Sequence, residues 1–98
     1  MDDKNMGRIT IVLSGRIDSS NAAQTEAAIQ AQLAGKGKVP VTLDASKLEY
    51  ISSAGLRVLL SATKEMDAQG GELIVKNVCR EIMDVFEVTG FSDFLNIQ

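Results

Sequence analysis

Strand-like and helix-like segments alternate along this chain, and their order restricts the possible folds more than any other feature. The β-branched run Ile9-Thr10-Ile11-Val12-Leu13 predicts a strand that ends at Ser14-Gly15. A second strand is predicted in Val39-Pro40-Val41-Thr42-Leu43-Asp44, which ends in Asp44-Ala45-Ser46, and a third in Leu73-Ile74-Val75. We expect any strand before the first to be very short.

Helical patterns follow the first two predicted strands. Asn21 and Gln24 resemble a capping box that opens a helix running to about Ala34. The clearest helix begins at Ser52-Ser53 and ends at Gly70-Gly71. Its apolar residues recur at three- and four-residue spacing, at Leu56, Leu59, Leu60, Thr63 and Met66. Its opposite face carries Arg57, Ser61, Lys64 and Ala68.

The C-terminal part of the chain predicts one more helix and a closing segment. Asn77 is a candidate cap for this helix, and Gly90 is expected to end it. Apolar residues mark its inner side at Ile82, Met83, Val85 and Phe86. The residues expected to complete the core after it are Phe91, Phe94, Leu95 and Ile97.

This alternation of strands and helices is typical of the α/β class. Strands that are joined through a helix are expected to lie parallel, with right-handed crossovers. A chain of 98 residues with 45% hydrophobic content has enough apolar surface for one core and too few residues for a second. We therefore expect a single domain over residues 1–98, with a small, mostly parallel sheet covered by helices mainly on one side.

The absence of histidine removes many familiar reaction mechanisms. Ser-His-Asp and Cys-His nucleophile pairs and histidine-based zinc sites all require that residue. Cys79 is the only cysteine, so no disulfide or Cys-x-x-Cys pair can form within the chain. We interpret Cys79 as a half-buried thiol near a helix start. The sequence therefore predicts a protein that is not an enzyme and that needs neither a metal nor another cofactor.

Charge and hydropathy exclude two further classes of partner. A net charge of -3 has the wrong sign for a domain that neutralises nucleic-acid phosphates. No apolar stretch approaches the roughly 20 residues of a membrane span, so we expect no direct membrane insertion and a cytoplasmic location. Gly35-Lys36-Gly37-Lys38 lacks the spacing of a phosphate-binding loop and is interpreted as a solvated connection.

Three polar clusters are expected where the strands of the sheet end. They are the run from Asp18 through Ser19 and Ser20 to Asn21, the run from Asp44 to Ser46, and Ser52-Ser53. In open parallel sheets, ligands and partners bind beyond the carboxyl ends of the strands. A serine that merely caps a helix would contribute about 1 kcal/mol and carry no further role.

The three clusters together resemble the anti-sigma factor antagonists of the STAS domain family. The resemblance rests on Leu13-Ser14-Gly15-Arg16-Ile17-Asp18, on Val41-Thr42-Leu43-Asp44-Ala45-Ser46, and above all on Tyr50-Ile51-Ser52-Ser53-Ala54-Gly55-Leu56-Arg57. The third segment matches the family pattern of an aromatic or apolar pair, Asp or Ser, a phosphorylatable Ser or Thr, a small residue, Gly and Leu. The resemblance implies a small mixed sheet with helices packed against it.

The resemblance also implies a function in bacterial partner switching. Members bind an anti-sigma factor that is also a serine/threonine kinase, release the sigma factor, and let the kinase go once they are phosphorylated; a serine phosphatase would reverse the switch. Ser53 is the implied phosphoacceptor, with Ser52, which stands where many members carry Asp, as the alternative. The implied partner-binding residues are Asp18, Ser19, Ser20, Asn21, Asp44, Ser46, Ser52, Gly55, Arg57, Ser61 and Lys64.

Two other interpretations compete with this one. The chain could be a STAS-type accessory or scaffold domain of a membrane transporter system, which would keep the fold but need no phosphoacceptor. It could also be a receiver-like domain that uses Asp44 as a phosphoaspartate. That class needs paired carboxylates for Mg²⁺ after the first strand, where this sequence has Ser14-Gly15-Arg16. The intact Ser52-Ser53-Ala54-Gly55-Leu56 segment favours the phosphoswitch.

Overall fold

In the part of the chain that the structure describes, three parallel strands form the sheet, in the order β1-β2-β3. They belong to a computed structural model that describes residues 9–34 and 39–98. The predicted helix-to-strand connection at residues 35–38, and any strand before Ile9, lie outside the described residues. The elements are β1 (Ile9–Ile17), α1 (Ala22–Leu33), β2 (Val41–Ile51), α2 (Ser53–Ala68), β3 (Leu73–Lys76), α3 (Arg80–Thr89) and a 3₁₀ turn (Phe91–Asp93).

The first two strands are longer than the sequence predicts. The predicted ends at Ser14-Gly15 and at Asp44-Ala45-Ser46 are both wrong, because β1 continues to Ile17 and β2 continues to Ile51. Their pairing accommodates irregularities between Val12 and Ser14 and between Gly15 and Arg16, and Gly15 adopts a left-handed φ of 71°. The hydrogen-bonded ladder between the two strands continues through residues of types that usually mark turns.

Helices cover one face of the sheet, as the sequence predicts. Ile11, Leu13 and Ile17 of β1 are buried, whereas Val12 between them is 52% exposed on the other face. The alternation places the apolar side of β1 against α1 and α2. The largest fully buried side chains are Phe86, Leu33, Leu43, Leu56, Leu59, Met66, Val41 and Val75.

The first helix buries the expected residues but begins differently. Ile29 and Leu33 of α1 are buried. Asn21 occupies the N-cap position but its side chain accepts no hydrogen bond from the first turn, so the predicted capping box with Gln24 is wrong. The Asn21 amide is instead bonded to two backbone groups at the end of β1, the Arg16 carbonyl oxygen and the Asp18 N–H.

The central helix, α2, lies against the sheet along the predicted stripe. Leu56, Leu59, Thr63 and Met66 are buried, and Thr63 donates its hydroxyl hydrogen bond to the Leu59 carbonyl oxygen. Leu60, which the sequence places in the core, is only half-buried. Its position on the rim of the stripe turns it toward the exposed face, and Val58 is buried instead.

The structure of the C-terminal segment differs from three of the predictions. Asn77 does not cap α3; it lies before Cys79, the N-cap residue, and adopts a φ of 62°. Cys79 is exposed rather than half-buried, because the N-cap position lies outside the packed turn of the helix. Phe94 is 66% exposed, while the core is closed by Leu95. Gly90 ends α3 with a left-handed φ of 83°, as glycine permits.

Two negative findings apply to the part of the chain that the structure describes. None of its helices has the length and apolar character needed to span a bilayer. Residues 9–34 and 39–98 also contain no group of three or more His, Cys, Asp or Glu side chains that could hold a metal ion.

Candidate functional site

The Ser52-Ser53 turn lies where β1 and β2 end side by side. Ile17 pairs with Ile51 at the last position of the ladder. One residue further, the Ser52 backbone N–H donates a hydrogen bond of 2.9 Å to the Ile17 carbonyl oxygen. The sheet therefore fixes the start of α2 relative to the end of β1.

Ser52 and Ser53 have different environments. The Ser52 Oγ accepts a hydrogen bond from the Gly55 backbone N–H at 3.4 Å, so Ser52 is the N-cap of α2. Ser53 is the first residue of the helix and is exposed. Its hydroxyl makes no hydrogen bond with any of the described residues. Of the two side chains, Ser53 is the more accessible to another protein.

Gly55 lets α2 approach the strand ends closely. A Cβ atom at this position would lie 2.6 Å from Ile51 Cγ1 and 2.8 Å from the Ile17 carbonyl oxygen. Gly55 itself is buried. Any larger side chain would push the first turn of α2, and Ser53 with it, away from the sheet. Gly55 is thus a positioning residue, and its burial leaves it without a surface of its own for a partner.

The turn after β1 is held by its own polar side chains. Asp18 Oδ1 accepts hydrogen bonds from the Ser20 backbone N–H, at 3.0 Å, and from the Ser20 hydroxyl. Asn21 Oδ1 accepts from the Asp18 N–H at 3.0 Å, and Asn21 Nδ2 donates to the Arg16 carbonyl oxygen at 2.8 Å. The Ser20 hydroxyl, the Ser20 N–H and the nearby Arg16 cation hold the pKa of the Asp18 carboxyl below its usual value.

Two residues that the sequence analysis did not select lie on this turn's outer side. Arg16 and Tyr50 are partners in the β1-β2 register, and the guanidinium carbon lies 4.2 Å from the centre of the Tyr50 ring. Arg16 Nε also lies 3.8 Å from Asp18 Oδ2. Both side chains are exposed. Their adjacency depends on strand register, so only a correct prediction of both strand lengths could have revealed it.

The exposed face of α2 continues the surface away from Ser53. Arg57, Ser61 and Lys64 line a shallow depression of about 440 Å³ together with Leu60 and Glu65. Arg57 and Lys64 are exposed. The Ser61 hydroxyl donates a hydrogen bond of 3.0 Å to Glu26 Oε2 on α1, which ties the two helices together. Glu26 was not a candidate, and no sequence motif marks it.

The Asp44 cluster does not join the other two clusters. Asp44 lies inside β2, seven positions before Ile51, which is roughly 23 Å along an extended strand. Its Oδ1 accepts hydrogen bonds of 3.0 Å from Asn77 Nδ2 and from the Ser46 N–H. These bonds, first the one from Asn77, lower the pKa of the Asp44 carboxyl. The expectation that Asp44 and Ser46 meet Ser53 at one edge is wrong, because β2 continues beyond them.

The candidate residues around Ser53 are therefore separate from the Asp44 cluster. The Asp18 turn and the Ser52-Ser53 turn follow the shared end of β1 and β2, and α2 continues from the second turn; we call these two turns and the exposed side of α2 the switch surface. Its members are Asp18, Ser19, Ser20, Asn21, Ser52, Ser53, Arg57, Ser61 and Lys64. Arg16 and Tyr50 adjoin the Asp18 turn on the face of the sheet that the helices leave uncovered. The separate cluster consists of Asp44, Ser46 and Asn77.

Comparison with known proteins identifies the family and similar relatives. A family model described as "Mlab, STAS domain" matches residues 1–96. The chain is 43% identical over 89 residues to BtrV of Bordetella bronchiseptica, which is described as an anti-sigma factor antagonist; the match covers 91% of this chain and 76% of BtrV. The anti-sigma-B factor antagonist of Listeria monocytogenes is 27% identical over 96 residues, or 98% of this chain and 83% of that protein.

A solved structure supports the fold in the same way. The anti-sigma factor antagonist SpoIIAA in its unphosphorylated form superposes with a TM-score of 0.75 at 21% identity. The superposition covers 93% of this chain and 80% of SpoIIAA. At this level of identity the likeness establishes that the two chains share an architecture.

Proposed function

The chain belongs to the STAS domain family, and from that premise we propose that it is an anti-sigma factor antagonist whose partner binding is switched by phosphorylation of Ser53. Its 43% identity to BtrV supports the antagonist role. One structural observation carries the proposal for the acceptor. Ser53 is exposed on the first turn of α2, while Ser52 takes the capping role beside it.

In this proposal the unphosphorylated protein binds an anti-sigma factor serine/threonine kinase through the switch surface. Capture of the kinase frees its sigma factor. The Asp18 turn is held by internal hydrogen bonds, so few side-chain rotamers would be lost there on binding.

Phosphorylation ends the complex. The kinase transfers the γ-phosphoryl group of ATP to the Ser53 Oγ: a new P–O bond forms, the bond to the ADP leaving group breaks, and the hydroxyl proton passes to a base on the kinase. This chain supplies the acceptor oxygen and binds no nucleotide. A serine phosphatase restores the hydroxyl by hydrolysis.

The added phosphate should weaken binding without unfolding the protein. It carries about -1.5 to -2 charge, and a helix N-terminus favours an anion through its N–H groups and dipole. A partner surface packed over Ser53 has no comparable groups that stabilise the anion. A loss of about 3 kcal/mol there would weaken binding more than a hundredfold.

The remaining aspects of the role follow from the same proposal. The chain acts as a binding protein rather than an enzyme, in the cytoplasm, where a kinase and a sigma factor would meet it. The Asp44 cluster is assigned no part in kinase binding, because β2 holds it away from Ser53.

Incubating the protein with serine kinases of the same genome tests this function. We expect one kinase to bind the unmodified protein at least a hundredfold more tightly than the phosphorylated protein in isothermal titration. Equal affinity for the two forms would contradict the switch. Phosphorylation by none of the kinases, with binding to a permease instead, would favour the transporter-accessory role.

A further inference from the structure

Arg57 is placed one helical turn beyond Ser53 on α2. The two residues are four positions apart, which puts their side chains on the same face of the helix at a rise of about 6 Å. Arg57 is exposed and forms no ion pair with any of the described residues. Its guanidinium is therefore available to a new anion near Ser53.

The helix offers Arg57 no native carboxylate. The positions three and four residues away on either side are Ser53, Ala54, Leu60 and Ser61. The Ser61 hydroxyl already donates a hydrogen bond to Glu26 on α1. At this end of the sheet the Arg16 guanidinium and the Asp18 carboxylate lie 3.8 Å apart, so those two charges largely offset each other. An anion on Ser53 would be the only acidic group within helical reach of Arg57.

We propose that Arg57 is the residue that receives the phosphate of phosphorylated Ser53, forming an i,i+4 ion pair along α2. This inference rests on the proposed modification of Ser53 and adds a second consequence to it. An anion N-terminal to its cation is the favourable orientation on a helix, and it also lies at the positive end of the helix dipole. The guanidinium fork can bind two phosphate oxygens at once.

Through this ion pair, phosphorylation of Ser53 changes the switch surface in two ways. In the unmodified protein Arg57 presents a cation beside Leu60 at the rim of the depression that also contains Lys64. Pairing with the phosphate neutralises that cation and turns it toward Ser53. A partner carboxylate that contacts Arg57 would lose its counterion at the same moment that the phosphate obstructs the interface.

The test needs no kinase and no partner, so its outcome is independent of the proposed function. Phosphoserine is installed at position 53 by amber suppression, and its second pKa is followed by ³¹P NMR. A nearby cation favours the dianion and lowers this pKa, so Arg57→Gln should raise it by about 0.3 units. Arg57→Lys, which keeps the charge, should restore part of the difference.

Lys64→Gln is the matched control. Lys64 is exposed on the same helix but lies eleven positions from Ser53, roughly 16 Å along the axis and beyond the Debye length at physiological salt. This variant should leave the phosphate pKa within about 0.1 units of the parent value. Because both side chains are exposed, circular dichroism should show an unchanged fold. A phosphate pKa that Arg57→Gln shifts no more than Lys64→Gln does would overturn the inference.

Discussion

Gly55 lies so close to Ile17 that a Cβ atom at position 55 would be 2.8 Å from the Ile17 carbonyl oxygen. The same oxygen accepts the Ser52 N–H, so a single peptide group of β1 sets both the start of α2 and its approach to the sheet. The position of Ser53 depends on both contacts, since Ser53 lies between Ser52 and Gly55 in the chain.

Gly55→Ala should destabilise the protein by about 1 to 3 kcal/mol, because the first turn of α2 must move away from β1. A glycine-to-alanine change inside an ordinary helix has the opposite sign and stabilises it by up to about 1 kcal/mol. The free energy of unfolding from urea titration decides between the two. An unchanged or higher stability would show that the helix start tolerates a Cβ.

Ser53 should be the only residue that the kinase modifies. Ser53→Ala should abolish phosphate incorporation, as measured by mass spectrometry, and retain tight kinase binding. Ser52→Ala should still be modified but should lose about 0.5 to 1 kcal/mol of stability, because it removes the cap on Gly55. Phosphate on Ser52, with Ser53→Ala still fully modified, would reverse the assignment.

Asp18→Ala and Arg57→Glu should each weaken kinase binding at least tenfold, because both residues lie on the switch surface. Isothermal titration measures the effect. Arg80→Glu provides a charge-matched control at the start of α3, which follows β3 on the far side of β2 from β1. If both switch-surface variants bind like the parent protein, the interface lies elsewhere.

Ser20→Ala should raise the pKa of Asp18 toward its usual value of about 3.9, because it removes the hydroxyl that does most to stabilise the carboxylate. Because the pKa of Asp18 is lowered on folding, the ionised Asp18 carboxylate stabilises the folded protein. This contribution is fully present above about pH 4 and is lost as the pH falls through the pKa of the folded state. Carboxyl ¹³C NMR gives the titration directly. An identical Asp18 titration in the variant and the parent would exclude the Ser20 hydroxyl as the cause.

Asn77→Ala should destabilise the protein by about 1 to 2 kcal/mol, because alanine is disfavoured at a φ of 62° and cannot donate to Asp44. Asn77→Gly loses the same hydrogen bond but adopts the left-handed conformation freely, so it should cost less. Thermal unfolding of the two variants separates backbone strain from the hydrogen bond. Equal losses would mean that the Asp44 bond accounts for the whole effect.

Local pattern was sufficient for the elements of this fold. The spacing of Leu56, Leu59 and Met66 predicted α2 and its buried face, since a period of 3.6 residues is a property of the helix itself. The Ser52-Ser53 pair was likewise placed at the start of α2 from the sequence, because capping involves only neighbouring backbone groups.

Tertiary structure decided where strands end and which polar groups meet. Ser14-Gly15 and Asp44-Ala45-Ser46 are turn-like in composition, but the β1-β2 ladder satisfies their backbone groups and extends both strands. That extension separates Asp44 from Ser53 and brings Arg16 onto Tyr50. Sequence pattern alone was thus enough to predict the helices and the parallel α/β class and to suggest a candidate acceptor. The polar groups that meet beside that acceptor depend on strand register, which pairs residues 32 to 34 positions apart.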